Sequence, residues 1–386
     1  MLVYLEPLDT LFFRDSRPFD AGEDTFAEST LPSPLAIYGA IGSYILKSQG
    51  RSFEDFYNSG EDTLLGKYDP SLNNLTDTKL RIKRVSLSKM SKRNTLFFST
   101  PANLFSYGKN RVKSLKPEYD QSQRQTVLSD LPQNIIPLSL PPRSNTVDWQ
   151  QASGYLGLHT FKRFLSDDLS LTETLYPADE FLVPELRYGI KMAEGSRAAD
   201  EGYLYGAGCL RFKQDEKSGK SVIAVQLDDI NGMAAIPEGI CSLGGEGGKA
   251  RISMGTEIDL SNDAVLAEIK NRKRFFIYLI TPAIFKDGWR ITENAELAGA
   301  DLVGAAVNKP EYISGWVREP STTAGRRQVA GGSPREMRKA VPAGSVYFFK
   351  ALASWDFKKA YTWAFENSIS DEYRAAGFGA MAMGVW

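Results

Sequence analysis

The apolar and polar positions near the start of the chain predict a strand, a loop and a helix. Residues 2–5 and 11–13 are short apolar runs of strand character. Beyond a turn-prone stretch, apolar residues between positions 35 and 45 recur at a spacing close to i, i+3/i+4, i+7, which is typical of an amphipathic helix. Strand, loop and helix in this order open a βαβ-type unit.

The residues that flank this helix fit its two ends. Ser33 is suited to the N-cap, Pro34 to the first helical position and Gly50 to the C-terminal end. Within a helix, Gly39 and Gly42 each cost roughly 1 kcal/mol relative to Ala. They therefore indicate close packing or a close ligand on that face.

Strand patterns return later in the chain and predict a second αβ unit. They cover residues 181–184, 203–212, 222–227, 274–280 and 346–349. Between about 80 and 145 the sequence is basic, rich in Ser and Pro and weakly periodic, which indicates inserted loops with a projecting hairpin on residues 96–98 and 103–112. We predict two domains, residues 1–180 with this insertion and residues 181–386.

The last residues combine glycine with apolar side chains. Gly377, Gly379 and Gly384 occur with Phe and Met within eight positions, and glycine weakens the interior of a helix or strand. Because a disordered tail would be polar, we predict an ordered loop that packs on the core and presents bare backbone. A dinucleotide site needs a helix after the glycines and a P-loop needs Gly-Lys-Ser/Thr, and neither follows.

Composition excludes several classes of protein. The chain has 386 residues, 42% of them hydrophobic, and no uncharged apolar run approaches the roughly 18 residues of a membrane span. The first residues lack a signal-peptide pattern, and two cysteines with one histidine cannot complete a four-ligand zinc site. We expect a cytoplasmic protein without a metal, another cofactor or a membrane partner.

Basic residues cluster locally although the net charge is −1, which disfavours a general nucleic-acid binder. Residues 81–93 carry six basic side chains and no acid, and residues 318–339 carry six against two glutamates. Each cluster is explained equally well as a solvated face or as a contact surface.

The turn at residues 244–248 is a candidate phosphate contact. Gly244 and Gly245 precede Lys249 and Arg251, an arrangement that suits backbone N–H contacts with phosphate and equally suits a plain surface turn. Glu246 is the only carboxylate in the turn, whereas two-metal phosphoryl transfer needs at least a pair.

The segment 6–20 alternates acidic and basic residues and has two interpretations. Arg14 and Arg17 either hold a ligand phosphate above Phe12, Phe13 and Phe19, or belong to a strand edge with a turn held by Asp side chains.

His159 is the only histidine, and metal-independent RNA cleavage calls for a general base such as histidine. Nothing near it in the sequence supplies a partner. A lone histidine on an apolar segment is most often structural, so we predict no catalytic residue.

Several motifs together resemble one protein family. They are Glu6-Pro7-Leu8-Asp9-Thr10-Leu11-Phe12-Phe13-Arg14-Asp15-x-Arg17-Pro18-Phe19, Ala21-Gly22-Glu23, Pro32-Ser33-Pro34, Tyr38-Gly39-Ala40-Ile41, Arg187-Tyr188-Gly189-Ile190, Glu201-Gly202-Tyr203-Leu204-Tyr205, Leu243-Gly244-Gly245-Glu246, Gly288-Trp289, Gly315-Trp316, Val341-Pro342-Ala343-Gly344-Ser345-Val346 and the glycine-rich tail. In this order they resemble the CRISPR RAMP proteins that form the third subunit of the type III-B (Cmr) effector complex. The resemblance covers the whole chain and is weakest between about 50 and 180.

The resemblance implies an α+β fold of two ferredoxin-like (RRM-like) domains with long insertions and a C-terminal Gly-rich loop. It implies a non-catalytic subunit that binds the 5′ tag of the CRISPR RNA (crRNA) in antiviral defence. Such a subunit joins the large polymerase/cyclase-like subunit to a backbone RAMP subunit, and its protruding hairpin helps to kink the guide. A nucleotide can sit near the interface with the large subunit.

We predict RNA contacts at Arg14, Arg17, Ser33, Tyr38, Gly39, Gly244, Gly245, Lys249, Arg251, Arg318, Arg338, Lys339, Gly377 and Gly379. Two alternatives stay open. One is a metal-independent RAMP endoribonuclease that processes crRNA through His159, and the other is the equivalent tag-binding subunit of a type III-A complex.

Overall fold

The computed structural model shows a mixed α+β protein, as the sequence predicts. It describes residues 1–13, 26–52, 56, 61–62, 64–69, 74–91, 95–108, 111–117, 135–138, 148–192, 199–215, 219–228, 236–318, 321–323, 326–328 and 332–386. Within these ranges the α-helices are α1 (Pro34–Ser48), α2 (Leu158–Leu165), α3 (Asp263–Arg272) and α4 (Phe357–Glu366). Short 3₁₀ turns cover Ala178–Glu180, Ala295–Leu297 and Arg374–Ala376.

The largest sheet, called here the large sheet, has nine strands in the described residues. In spatial order they are Leu175–Tyr176, Tyr155–Gly157, Thr95–Ser99, Ile82–Met90, Gly219–Leu227, Leu2–Pro7, Lys249–Gly255 and Gly239–Ser242, with Gln214–Asp215 beside Gly219–Leu227. Neighbouring strands run antiparallel. The predicted boundary near residue 180 falls between strands of this one sheet, and the division into two domains stays a prediction.

A second sheet has four antiparallel strands, in the spatial order Ala300–Ala306, Val346–Ala351, Arg274–Leu279 and Met381–Val385. By sequence this order is second, third, first, fourth, with α4 between the third and fourth strands. The middle of the large sheet repeats the order with Ile82–Met90, Gly219–Leu227, Leu2–Pro7 and Lys249–Gly255, and there α1 lies between the first and second strands.

Smaller strand groups surround the two sheets. They are Gln150–Gln151 with Leu104–Tyr107 and Arg111–Ser114, Glu61–Asp62 with Gly66–Asp69 and Asn74–Thr76, and the long hairpin Leu182–Met192 with Ala199–Phe212, which Phe26–Glu28 joins in parallel. The described residues between 311 and 340 form a further hairpin, called here the basic hairpin. Its pairs are Glu311–Ile313 with Arg338–Ala340, Trp316–Arg318 with Gly332–Pro334, and Ser321–Thr323 with Arg326–Gln328.

Alternating side chains of the first strand enter two cores. Val3 and Leu5 pack with α1 on one face of the large sheet, whereas Leu2 and Tyr4 belong to the core that includes the four-stranded sheet. This division follows from the period of two along a strand. The large sheet is therefore covered by α1 on one face and by the four-stranded sheet and its helices on the other.

The predicted helix is confirmed as α1, and its N-cap behaves as expected. The Ser33 Oγ accepts a hydrogen bond from the Ala36 N–H at 3.3 Å. Gly42 packs closely, since a Cβ there would lie 3.2 Å from Leu65 Cδ2, while Gly39 is exposed with nothing within 4 Å. The later strand predictions are also confirmed, but residues 11–13 contribute only the isolated bridge between Leu11 and Leu210.

The interpretation of residues 80–145 as inserted loops is wrong at its start. Ile82–Met90 and Thr95–Ser99 are inner strands of the large sheet, and their basic side chains have distant partners. Lys83 contacts Asp228 and Glu366, and Lys89 contacts Glu180. Leu104–Tyr107 and Arg111–Ser114 do form a hairpin, but residues 96–98 are not part of it.

The prediction of a C-terminal loop is wrong for its last part, because Met381–Val385 is a fully buried strand. A Cβ added at any of the three glycines of this tail would collide with other atoms of the protein. A Cβ at Gly377 would lie 2.6 Å from Ile82 Cγ2, and one at Gly384 would lie 2.3 Å from the Phe276 ring. At Gly379, φ is +73° and the Cβ would lie 2.3 Å from the Ser370 nitrogen. These glycines allow close packing within the chain.

Candidate nucleic-acid interface

The glycine turn at residues 244–248 packs on the N-terminal segment. Gly244 has a φ of +80°, and a Cβ there would lie 2.8 Å from the carbonyl oxygen of Phe12. The Gly245 N–H donates to the same carbonyl at 2.8 Å. The Gly245 N–H is therefore already used in a hydrogen bond within the protein. The turn also fixes the position of the chain just before Arg14.

Two hydrogen bonds join the two ends of the segment that carries Arg14 and Arg17. The Phe13 N–H donates to the Ser29 Oγ at 2.7 Å, and the Thr30 N–H donates to the Phe13 carbonyl at 3.2 Å. Arg14 and Arg17 themselves lie outside the described residues. Their segment leaves and re-enters the described chain at one place, beside the glycine turn.

A cleft of about 1320 Å³ opens at this place and is called here the aromatic cleft. Its floor is the α1-side face of the large sheet, with Val85, Leu87 and Phe97. Residues 12–13 and 29–34, Gly245 and residues 311–315 also line it. The aromatic residues whose side chains can line it are Phe12, Phe13, Phe97, Tyr155 and Tyr312, whereas the Phe98 ring packs in the core on the other face of the sheet.

Glu311 is the only acidic residue among the described residues that line the aromatic cleft, and no described Lys or Arg lines it. Glu311 is exposed, and partial desolvation by the surrounding protein raises the pKa of its carboxyl group. Burial, with a contribution from the negative charge of Glu311, raises the pKa of Tyr155. The interior of the cleft is thus apolar and aromatic with one carboxylate.

The base of the basic hairpin places a lysine beside Tyr312, a residue that lines the cleft, and this position is called here the rim. Lys339 lies directly opposite Tyr312 in the strand pair, is exposed, and has no hydrogen-bond or ion-pair partner in the described part of the chain. Arg338 instead contacts Glu372 at 3.0 Å and Glu336 at 2.6 Å, and the hydrogen bonds with these two carboxylates raise its pKa. Its charge is already neutralised by the protein.

The other basic positions lie elsewhere. Lys249 and Arg251 are exposed and alternate with Ala250 and Ile252, which are buried on the α1 side, so both point to the opposite face of the large sheet. The structure therefore does not bring them to the aromatic cleft. Arg318 lies opposite Gly332 in the basic hairpin.

The remaining predicted contacts on α1 divide between structural and exposed positions. Ser33 lines the cleft but its Oγ caps the helix. Tyr38 is buried, its hydroxyl hydrogen-bonds with the Thr78 Oγ1 at 2.8 Å, and burial raises its pKa. Gly39 is exposed. In the tail, burial of Gly377 and Gly379 argues against direct contact with RNA.

Comparison with known proteins covers nearly the whole chain. The model of a family described as CRISPR-associated protein (Cas_Cmr3) matches residues 3–386. The chain belongs to the Cas_Cmr3 family. This confirms the resemblance that the sequence motifs indicate, although no curated protein matches this Cas_Cmr3 chain.

Two solved structures are similar to this Cas_Cmr3 chain. Both are cryo-EM structures of the type III-B Cmr-beta bound to cognate target RNA, and one also contains AMPPnP. The matching chains are 16% and, with AMPPnP, 15% identical to this one. Each match has a TM-score of 0.45 and covers 90% of this chain and 86% of the other.

His159 is the second residue of α2 in this Cas_Cmr3 protein, where it is exposed and has no hydrogen-bond partner among the described residues. Cys209 and Cys241 are buried free thiols. In the described ranges, no group of three His, Cys, Asp or Glu side chains is placed to hold a metal ion. None of the described helices combines the length and apolar character needed to cross a membrane.

Proposed function

We propose that this chain is a non-catalytic subunit of a type III-B Cmr effector complex and binds the 5′ tag of crRNA at the rim of the aromatic cleft. One observation carries the proposal. The ends of the Arg14 and Arg17 segment, the glycine turn and the base of the basic hairpin, which are distant in sequence, meet around this one cleft.

The division of charge at the cleft suits single-stranded RNA. Basic groups at a rim attract the phosphates, whereas aromatic side chains stack with bases whatever their sequence. Lys339 is the described rim residue with an unengaged charge. A tag of a few nucleotides needs only a few such groups, so a net charge of −1 is compatible with this role.

The strand orders support the finer fold assignment. We infer that both sheets contain a ferredoxin-like unit, since the order second, third, first, fourth with antiparallel neighbours is that of the βαββαβ motif. In the described residues the first unit has only its first crossover α-helix, α1, and the second has only its second, α4. The basic hairpin would be the protruding hairpin of the family.

The proposal includes two protein partners, the large polymerase/cyclase-like subunit and a backbone RAMP subunit. Exposed apolar side chains on the strand Leu182–Met192 support protein contacts, because Leu186 is 47% and Tyr188 69% exposed. The charges beside these apolar side chains are satisfied internally, since Arg187 contacts Asp9 at 3.0 Å and Glu185 at 3.1 Å.

The test is guide-RNA binding by the reconstituted complex. We expect Arg14→Ala with Arg17→Ala, and separately Lys339→Ala, to weaken binding of tagged RNA several-fold. The negative slope of log affinity against log salt should become shallower by about 0.7 for each lost phosphate contact. Lys358→Ala is the control, because Lys358 is exposed on α4 without a described partner. Unchanged affinity and slope in all the rim variants would contradict the proposal.

A cleavage assay tests the non-catalytic part. We expect the purified chain to leave repeat RNA intact without metal ions. Cleavage that disappears in His159→Ala would instead establish the endoribonuclease alternative.

A further inference from the structure

The interior of the aromatic cleft differs in chemistry from its rim. Phosphate is disfavoured inside, because Glu311 is acidic and no described Lys or Arg lines the cleft. A purely apolar ligand is also a poor match, since by filling the cleft it would cover that carboxylate without offering it a hydrogen-bond donor. The lining suits a flat aromatic group that carries N–H donors.

An unstacked nucleobase has this chemistry. Single-stranded RNA is recognised by splaying bases onto aromatic side chains and by hydrogen bonds to their Watson–Crick edges. The volume of about 1320 Å³ exceeds the range of about 300–1,000 Å³ that is typical of small-molecule sites, so one nucleotide fits with room to spare. Tyr312 stands beside Lys339, so a base in the cleft leaves its phosphate near the rim lysine.

The carboxylate selects among the bases. An ionised carboxylate only accepts hydrogen bonds, and on the Watson–Crick edge guanine alone offers two adjacent donors, the N1–H and the N2 amino group. Adenine and cytosine each place an acceptor beside their amino donor, and uracil places acceptors on both sides of its N3–H.

We propose that the aromatic cleft takes one unstacked guanine of the bound guide RNA and that Glu311 accepts hydrogen bonds from its N1–H and N2 amino groups. This rests on the proposed tag-binding function and deepens it. Tyr312 contributes a stacking surface, and Lys339 contacts the adjoining phosphate. Phosphates at the rim then hold the RNA in place, while the interior of the cleft reads one base.

The experiment uses the reconstituted complex and RNAs in which each tag position in turn carries guanine, hypoxanthine or no base. Hypoxanthine keeps the N1–H and lacks the amino group. We expect one position at which guanine binds about tenfold more tightly than hypoxanthine, because a hydrogen bond to a charged group is lost. In Glu311→Gln this ratio should fall to about one, whereas in the control Glu293→Gln, an exposed glutamate without a described partner, it should persist.

A second variant tests the stacking. Tyr312→Ala should weaken guanine binding at that position about tenfold or more, and it should have no effect on the RNA without a base there. If no position distinguishes guanine from hypoxanthine, or if Glu311→Gln keeps the full ratio, the guanine site is refuted.

The two proposals fail separately. Tag binding that depends on Lys339 but not on any base refutes only the guanine site. If tagged RNA does not bind the complex, and Lys339→Ala therefore changes nothing, the proposed function itself is refuted.

Discussion

At the scale of single residues, two glycines provide opposite tests of the structure. Gly379 has a φ of +73°, and a Cβ there would lie 2.3 Å from the Ser370 nitrogen. We expect Gly379→Ala to lower the free energy of unfolding by about 2–4 kcal/mol, from backbone strain and overpacking. Denaturant unfolding at equilibrium measures this change.

The matched control is Gly39→Ala on α1. Because Gly39 is exposed and a Cβ there meets nothing within 4 Å, the substitution should stabilise the protein by up to about 1 kcal/mol. Equal effects of the two substitutions would show that Gly379 is not packed as described.

The sequence predicted residues whose role depends on near neighbours, such as the Ser33 cap and the Gly42 packing position. It misjudged residues whose role depends on distant partners. Lys83 and Lys89 look like loop residues in sequence, but their charges are satisfied by acids far along the chain. Glu311 and Tyr155 gave no local signal either, because only folding places them in one cleft.

At the scale of elements, short amphipathic units were predictable and pairings were not. The period of α1 identifies it without knowledge of its packing. By contrast, Gly384 and the glycines just before Met381–Val385 make this segment look like a loop, although it is a strand whose stability comes from its neighbours rather than its propensity. The basic hairpin was missed for the same reason. Its strands are only three residues long and lie within a Gly- and Arg-rich sequence, so their pairing rather than a local pattern defines them.

The outer part of the basic hairpin, residues 316–334, should be dispensable for folding but not for RNA binding. Among the described residues, Trp316–Arg318 and Gly332–Pro334 pair only with each other, and the Arg335 N–H donates to the Gly315 carbonyl at 2.8 Å. An Asn-Gly turn that replaces residues 316–334 therefore joins two neighbouring ends. We expect the stability to change by no more than about 0.5 kcal/mol and the affinity of the complex for tagged RNA to fall several-fold.

The control for this deletion is Ile313→Ala at the hairpin base. Ile313 is buried against the α1-side core, so its truncation should cost about 2–4 kcal/mol. A shortened protein that melts like Ile313→Ala would mean that the outer hairpin packs on the body.

At the scale of the whole molecule, the two sheets are joined through the core that lies between them. The Tyr278 hydroxyl of the four-stranded sheet donates to the Ser99 carbonyl of the large sheet at 2.6 Å. The Phe161 ring of α2 stacks on Phe98 of the large sheet with ring centroids 4.0 Å apart. Because these contacts cross between the sheets, we expect the two sheets to unfold together rather than as independent units.

The last strand tests this coupling most directly. Met381–Val385 pairs with Arg274–Leu279 and is fully buried, and the Trp386 indole N–H donates to the Phe275 carbonyl at 2.9 Å. Removal of residues 381–386 would expose one edge of the four-stranded sheet and the apolar surfaces that the strand covers.

We therefore expect the truncated chain to lose its cooperative thermal transition and to aggregate, because exposed apolar surface and a bare strand edge favour association. Circular dichroism melting and size-exclusion chromatography measure both effects. Trp386→Ala should be intermediate, with a cost of about 3–5 kcal/mol and a folded state that remains. A truncated chain that melts at the wild-type temperature, yet fails to load guide RNA, would contradict this expectation. It would indicate that the tail acts as a surface loop.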